Sequence, residues 1–151
     1  MGQIITFTGD SGSGKSTLVR ALLDYNFGLV RSSTTRKIRS SDLAGEYEYL
    51  SLGEFAEQEK QQAFIWATSY AGNRYGTHYM CIDAALRAAE PQVMILVPDV
   101  VPLLLAYTAD VVPFFIRTPP VDLLRERLHQ RGDFPDSIEK RVASAGQWEA
   151  Q

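Results

Sequence analysis

The chain has 151 residues, 45% of them hydrophobic and 22% charged, which supports one sizeable core and leaves little room for two. A net charge of −3 does not suit a nucleic-acid-binding face, which needs clustered Lys and Arg; with no secretory signal and no run of about 20 apolar residues, neither nucleic acid nor a membrane is expected as a partner. A single cysteine, Cys81, excludes an intramolecular disulfide and a cysteine-based zinc cluster, so a reduced, cytoplasmic protein, monomer or homodimer, is expected, with Cys81 as a small buried hydrophobe.

Residues 3–8, QIITFT, predict a short buried strand, and residues 16–25, with Leu18, Ala21 and Leu22 and no breaker, predict a helix. Between them runs GDSGSGKST, in which Gly9, Gly14, Lys15 and Ser16 hold the fixed positions of G-x-x-x-x-G-K-[ST]. A strand, a glycine loop and a helix start in that order form a cup of backbone N–H groups with the positive end of a helix dipole behind it. The whole loop, Gly9, Asp10, Ser11, Gly12, Ser13, Gly14, Lys15, Ser16 and Thr17, is therefore a candidate polyphosphate site, with Lys15 reaching the β- and γ-phosphates and Ser16 ligating Mg2+; the plain alternative is a glycine turn. Met1, Gly2 and Thr6 also fit the acylation pattern M-G-x-x-x-[ST], but Gly2 runs straight into the strand and leaves an acyl chain no tether.

A second strand is expected at 28–33, followed by a polar, basic, loop-like stretch, STTRKIRSSDLAGEYEY. The segment 46–77 is rich in Tyr and Phe, and 55–64 within it reads as a helix. Residues 79–90 carry Ala and Leu at helical spacing and end before Pro91. The unbroken apolar run 93–97 suits a central parallel strand, and 111–116 suits another, weakened by Pro113. Residues 120–132 predict a helix closed by Gly132, and 137–149 a last helix. Strands alternating with helices imply an α/β fold with a parallel sheet covered on both faces; no repeat or low-complexity linker interrupts it.

The loop alone does not separate a kinase from a GTPase or a motor ATPase, but the N-K-x-D string of GTPases is absent and a motor ATPase usually needs a larger domain. SSTTRKIR, then EYEY, then GNRYGT carry the positive signal. With them the sequence resembles the guanylate kinase family, in which a phosphate loop is followed by S-x-T-T-R-x-x-R, a tyrosine, G-N-x-Y-G-[ST], an I-L-x-x-D strand and an R-L-x-x-R-G lid helix, in that order. The resemblance implies one domain over 1–151: a P-loop NTPase-type parallel sheet flanked by helices (about 1–33 and 79–119), a small inserted acceptor-binding lobe (about 34–78), and a helical lid with the last helices (about 120–151). It implies ATP-dependent, Mg2+-assisted transfer of the γ-phosphoryl group to a nucleoside monophosphate, foremost GMP or dGMP.

Arg36 and Arg39 bracket two residues, Tyr47 and Tyr75 carry hydroxyls, and the four suit a phosphate dianion held by charge-assisted hydrogen bonds; otherwise they are a solvated basic loop and core tyrosines. By resemblance they bind the acceptor's phosphate, with Ser32 and Thr77 at its base. Arg127 and Arg131, four apart, share one helix face, and Arg141 follows on the next helix. The resemblance implies that these three act with Lys15 in catalysis, closing over the phosphates as a lid; the alternative is a solvated helix face.

Several positions depart from the family pattern. Its acidic guanine reader sits in an I-E-W-A-like string, where FIWATSYAGN places Ile65 or Trp66, so weaker guanine selectivity than the family pattern is expected; only a strong GMP preference would point to another acid, Glu57 or Glu59, in its place. Trp66 either stacks on a base or fills the core. ILVPD keeps only Asp99 as an acidic candidate for the metal or its water shell, and Asp10 stands where proline is common. The family continues through another strand and helix beyond the position matching Glu149, so a minimal or shortened member is expected. His78 has no evident partner. A kinase for another phosphorylated small molecule, such as a ribose phosphate, and a non-catalytic binding module remain as alternatives; such modules typically lack the loop lysine, and Lys15 is present.

Overall fold

A computed structural model describes residues 2–146 of the protein. Strand β1 (Ile4–Thr8) leads through the glycine loop into helix α1 (Lys15–Leu23), followed by β2 (Gly28–Leu29), β3 (Ser32–Thr34), β4 (Tyr47–Tyr49), α2 (Leu52–Lys60), β5 (Phe64–Tyr70) and β6 (Asn73–His78). Then come α3 (Tyr79–Arg87), β7 (Gln92–Ile95), a 3-10 turn (Pro98–Val100), α4 (Val101–Tyr107), β8 (Val111–Phe115), α5 (Val121–Gln130) and α6 (Pro135–Ser144). The expected last helix thus begins earlier than predicted, and positions 147–149 lie outside the described residues.

The first sheet is parallel, in the order β2-β7-β1-β8. Side-chain alternation along β1 and β7 feeds two cores. Ile4 and Met94 face Ile82 and Ala85 of α3 and Leu104 of α4, while Phe7 and Val93 face Val19 of α1. Each face is therefore covered by helix, as parallel pairing requires. Pro113 is accommodated because β8 is an edge strand paired only with β1, where a missing N–H costs no ladder bond. The Gly2 N–H donates to Leu86 O at 2.8 Å, which ties the nitrogen an acyl chain would occupy.

The second sheet runs β4-β3-β6-β5 and mixes one parallel pair with two antiparallel ones. Two sequence expectations change here. The single strand at 28–33 is two strands in different sheets: Val30 N still bonds Val93 O of the first sheet, whereas Ser32 N bonds Glu46 O of the second. Periodicity cannot show that hand-over, because an apolar run reads the same in either sheet. The helix expected at 55–64 spans Leu52–Lys60 instead. It starts earlier because Ser51 and Glu54 form a reciprocal capping box. It stops earlier because Gln62 turns to φ +55°, and Phe64 opens β5, its ring stacked on Phe55 with centroids 4.8 Å apart. His78 does find partners: its Nε2 pairs with Gln58 Oε1 at 2.7 Å, and its ring packs edge-on against Phe64.

Candidate active site

The two sheets and the α5–α6 pair enclose a cavity of about 890 Å3. On one side it is lined by the glycine loop, which leaves the carboxyl end of β1. Gly9 is at φ +145°, and a Cβ there would lie 2.4 Å from Ile116 O, so only glycine lets β1 turn into the loop at that point. Lys15 Nζ folds back over the loop to donate to Gly9 O and Asp10 O, each at 2.6 Å, and to Ser13 Oγ at 3.3 Å. Burial, reinforced by Arg131 and Arg141 and opposed by Asp10, pulls its ammonium down to about 8. Ser16 and Thr17 are exposed and also line the cavity. Asp10 is the one loop residue expected there whose side chain points elsewhere, toward Thr118 and the Gly146 N–H.

The opposite wall comes from the second sheet. Arg36 stacks over the Tyr47 ring at 5.3 Å, and the Tyr47 and Tyr75 rings meet edge-on at 6.1 Å. The Arg36 guanidinium donates to Asp42 at 2.8 Å, both side chains being 10% exposed. Burial would lower the Arg36 pKa, but the Asp42 carboxylate overrides it and holds the group firmly charged. Tyr49 OH and the Arg39 N–H also donate to Asp42, at 2.6 and 2.8 Å. Burial and the adjoining Glu46 push the Tyr47 phenol well above its ordinary value, so it stays a neutral donor. Deeper in the wall, the Ser32 and Thr77 hydroxyls bond each other at 2.7 Å.

Arg127, Arg131 and Arg141 all line the cavity from the α5–α6 side. Arg127 donates to Gly12 O at 3.1 Å, Arg141 bonds Ser11 Oγ, and Asp133 pairs with both Arg131 and Arg141. Arg39 lies within the influence of Arg36, Arg131 and Arg141; partial burial first, then these neighbours, lower its pKa. Positive charge from two separate elements thus converges on one space, which suits a ligand carrying phosphates at both ends.

Seventeen of the nineteen residues the sequence pointed to line this cavity, and Asp10 and Asp99 do not. Asp99 is exposed on the 3-10 turn. Of Ile65 and Trp66, only Trp66 lines the wall: a bulge between Phe64 and Trp66 leaves Ile65 as the extra residue and sets Trp66 opposite Thr77. Trp66 is 5% exposed and packs with Ile4, Ile82 and Met94, so one ring serves both core and cavity. Glu57 and Glu59 are absent from the lining; they pair with Gln61 and Arg74. The carboxylates in the wall are Asp42 and Glu46, which the sequence reading missed. Glu46 accepts from the Leu43 N–H at 3.1 Å, and burial raises its pKa. Its position beside the EYEY tyrosines was the available signal.

The guanylate kinase family model matches residues 1–150. The chain belongs to the guanylate kinase family. Among curated relatives, the guanylate kinase of Gloeobacter violaceus is 34% identical over 150 residues, covering 96% of this chain and 73% of its own length. That of Bordetella pertussis is 36% identical over 96% of this chain and 69% of its own length. The crystal structure of guanylate kinase from Anaplasma phagocytophilum superposes with a TM-score of 0.68 at 20% identity, over 96% of this chain and 74% of that one, which shows the P-loop NTPase fold. The family's enzymes are phosphotransferases, and in this guanylate kinase fold the glycine loop and the second sheet face each other across the cavity.

Proposed function

We propose that this chain transfers the γ-phosphoryl group of ATP to a nucleoside monophosphate, with GMP or dGMP as the preferred acceptor, in the cytoplasm. The observation that carries the reading is one cavity lined by the glycine loop on one side and by Arg36, Tyr47 and Tyr75 on the other. Membership of the guanylate kinase family supports it, and the described residues contain no helix long and apolar enough to cross a membrane. The functional division is a core over about 1–33 and 79–119, an acceptor lobe over about 34–78, and a lid beyond about 120.

Phosphoryl transfer asks mainly for in-line positioning and charge stabilisation. The loop N–H groups hold the donor's polyphosphate, and Lys15 leaves the carbonyls of Gly9 and Asp10 for the β- and γ-oxygens. Arg127, Arg131 and Arg141 neutralise charge on the group in transit. Arg36, Arg39, Tyr47 and Tyr75 fix the acceptor phosphate in line, with Arg36 exchanging Asp42 for it in whole or part. Mg2+ held with the triphosphate would supply further neutralisation, and Ser16, an exposed residue of the cavity lining, is the residue that would hold it. Asp99 is exposed outside the cavity lining and takes no part in holding it.

At the base end, Ser32 and Thr77 offer hydroxyls and Trp66 offers an apolar wall. A guanine N–H left without an acceptor costs about 1–3 kcal/mol, so the site discriminates less sharply than one with a carboxylate opposite both donors. Specificity constants for GMP, dGMP, AMP, CMP, UMP and dTMP, from a coupled assay of ADP release, test this. GMP or dGMP should lead by less than about 10^4-fold, the loss of two such bonds. No ADP release above background with any nucleotide overturns the kinase reading. A larger lead shows that a carboxylate reads guanine after all, and Asp42 and Glu46 are the carboxylates among the lining residues.

A further inference from the structure

Asp10 is an acidic side chain in the phosphate loop that points out of the cavity. One oxygen, Oδ2, accepts from two donors far away in sequence: the hydroxyl of Thr118 and the Gly146 N–H, the latter at 2.8 Å. Thr118 lies between β8 and α5, and Gly146 follows α6, so a single carboxylate oxygen holds both the entrance and the exit of the α5–α6 pair. Between those ends the two helices pack on each other through Leu124, Leu128 and Ile138, a cluster separate from both cores of the sheet. The pair therefore depends on local contacts for its position over the loop.

Those contacts fall on neighbouring loop residues. Arg141 bonds Ser11 Oγ, Arg127 donates to Gly12 O at 3.1 Å, and Leu124 Cδ1 would lie 2.7 Å from a Cβ at Gly12. Loop residues 10, 11 and 12 thus each receive one part of the helix pair. The Arg127 and Arg141 contacts lie on the cavity side, where phosphates would compete for the same guanidinium groups. The Asp10 contacts involve groups outside the cavity lining, so a phosphate bound in the cavity does not compete for them.

We propose that Asp10 is a positioning residue that latches both ends of the α5–α6 lid to the phosphate loop, so that Arg127, Arg131 and Arg141 stay placed over the donor phosphates throughout the reaction. Catalysis by fixed charge depends on groups that need no reorganisation at the moment of transfer, and a lid anchored at two ends keeps its arginines in place without first being ordered by substrate. The charge of Asp10 also acts across the loop, favouring the protonated form of Lys15. This inference rests on the reading of the cavity as a phosphoryl-transfer site, but the latch itself can be observed without turnover.

The experiment is amide hydrogen exchange on the full chain without nucleotide, together with single-turnover phosphoryl transfer, in Asp10→Ala, Asp10→Asn and Thr118→Val. Each hydrogen bond lost from a latch of this kind should raise local opening by about 3–10-fold. Exchange across residues 121–146 should therefore accelerate most in Asp10→Ala and by a smaller factor in Thr118→Val. The amide oxygen of Asp10→Asn can still accept from both donors, so its exchange should stay close to the parent's. The transfer rate should fall about tenfold in Asp10→Ala with the acceptor KM within twofold, and most of that loss should return in Asp10→Asn. Parent-like exchange in Asp10→Ala overturns the latch, and so does equal impairment in the Asn and Ala variants, which would leave only the charge on Lys15. A parent protein that transfers no phosphoryl group defeats the proposed function, while the exchange result still decides the latch.

Discussion

The two walls of the cavity are built on opposite principles. The phosphate loop is nine consecutive residues whose backbone N–H groups are aimed by glycine geometry. The acceptor wall joins side chains far apart in the chain, such as Ser32 and Thr77, 45 positions apart and bonded through their hydroxyls. A contiguous backbone site tolerates little change of residue type because its shape is local. A wall of scattered side chains keeps its frame while individual contacts change, and the departure from the family pattern at Trp66 falls on that side. The difference teaches where variation in substrate choice can enter this fold without disturbing the donor site.

The largest expected effect comes from the loop. Lys15→Ala removes the side chain proposed to follow charge onto the β- and γ-oxygens, and turnover should fall by at least about 10^2-fold. Steady-state kinetics with both substrates saturating checks this, and a parent-like kcat would mean that the loop binds phosphate without contributing to its transfer. On the other wall, Arg36→Ala should raise the acceptor KM by roughly 10- to 100-fold, the worth of one charge-assisted bond, with the ATP KM little changed. Because that substitution strands the partly buried Asp42, the double variant Arg36→Ala/Asp42→Ala separates misfolding from lost recognition. It should regain thermal stability but not acceptor affinity, and a shift confined to the ATP parameter would assign Arg36 to the wrong wall.

A third outcome is set by pH. Lys15 is pulled down to about 8 from 10.5, first by burial, so between those values the unfolded chain holds a proton that the folded one has released. Stability should therefore rise with pH across that window. Triphosphate binding, which favours the charged ammonium, should weaken above about pH 8 and draw in a proton. Calorimetry at pH 9 in two buffers of different ionisation enthalpy measures that uptake; Lys15→Met should abolish it, and acceptor binding should show none of it. The smallest effect concerns the frame that both walls share. The Thr6 hydroxyl on β1 is buried with no hydrogen-bond partner among the described residues, so Thr6→Val should leave stability unchanged or raise it by up to about 1 kcal/mol, as judged by urea denaturation. A loss of that size would reveal an unseen bond to the hydroxyl.

The residues that chain order alone could place were the ones whose chemistry is local. The glycine loop, the helix behind it, the apolar run of β7 and the paired arginines of α5 are each set by neighbours within one turn or one strand, where spacing and residue type act directly on backbone conformation. The two strands within 28–34 were not separable, because which sheet a short apolar segment joins is decided by partners elsewhere in the chain, Val93 in one case and Glu46 in the other. The capping box at Ser51 and Glu54 was legible in the letters, yet the sequence reading starts the helix at Phe55, after it. Tertiary structure alone decided that Trp66, and not Ile65, faces the cavity, since a one-residue bulge exchanges the two faces of a strand. It also decided that Asp10 turns away from the loop's interior, because the groups it meets, Thr118 and Gly146, come within hydrogen-bonding distance only when the lid has folded back onto the loop.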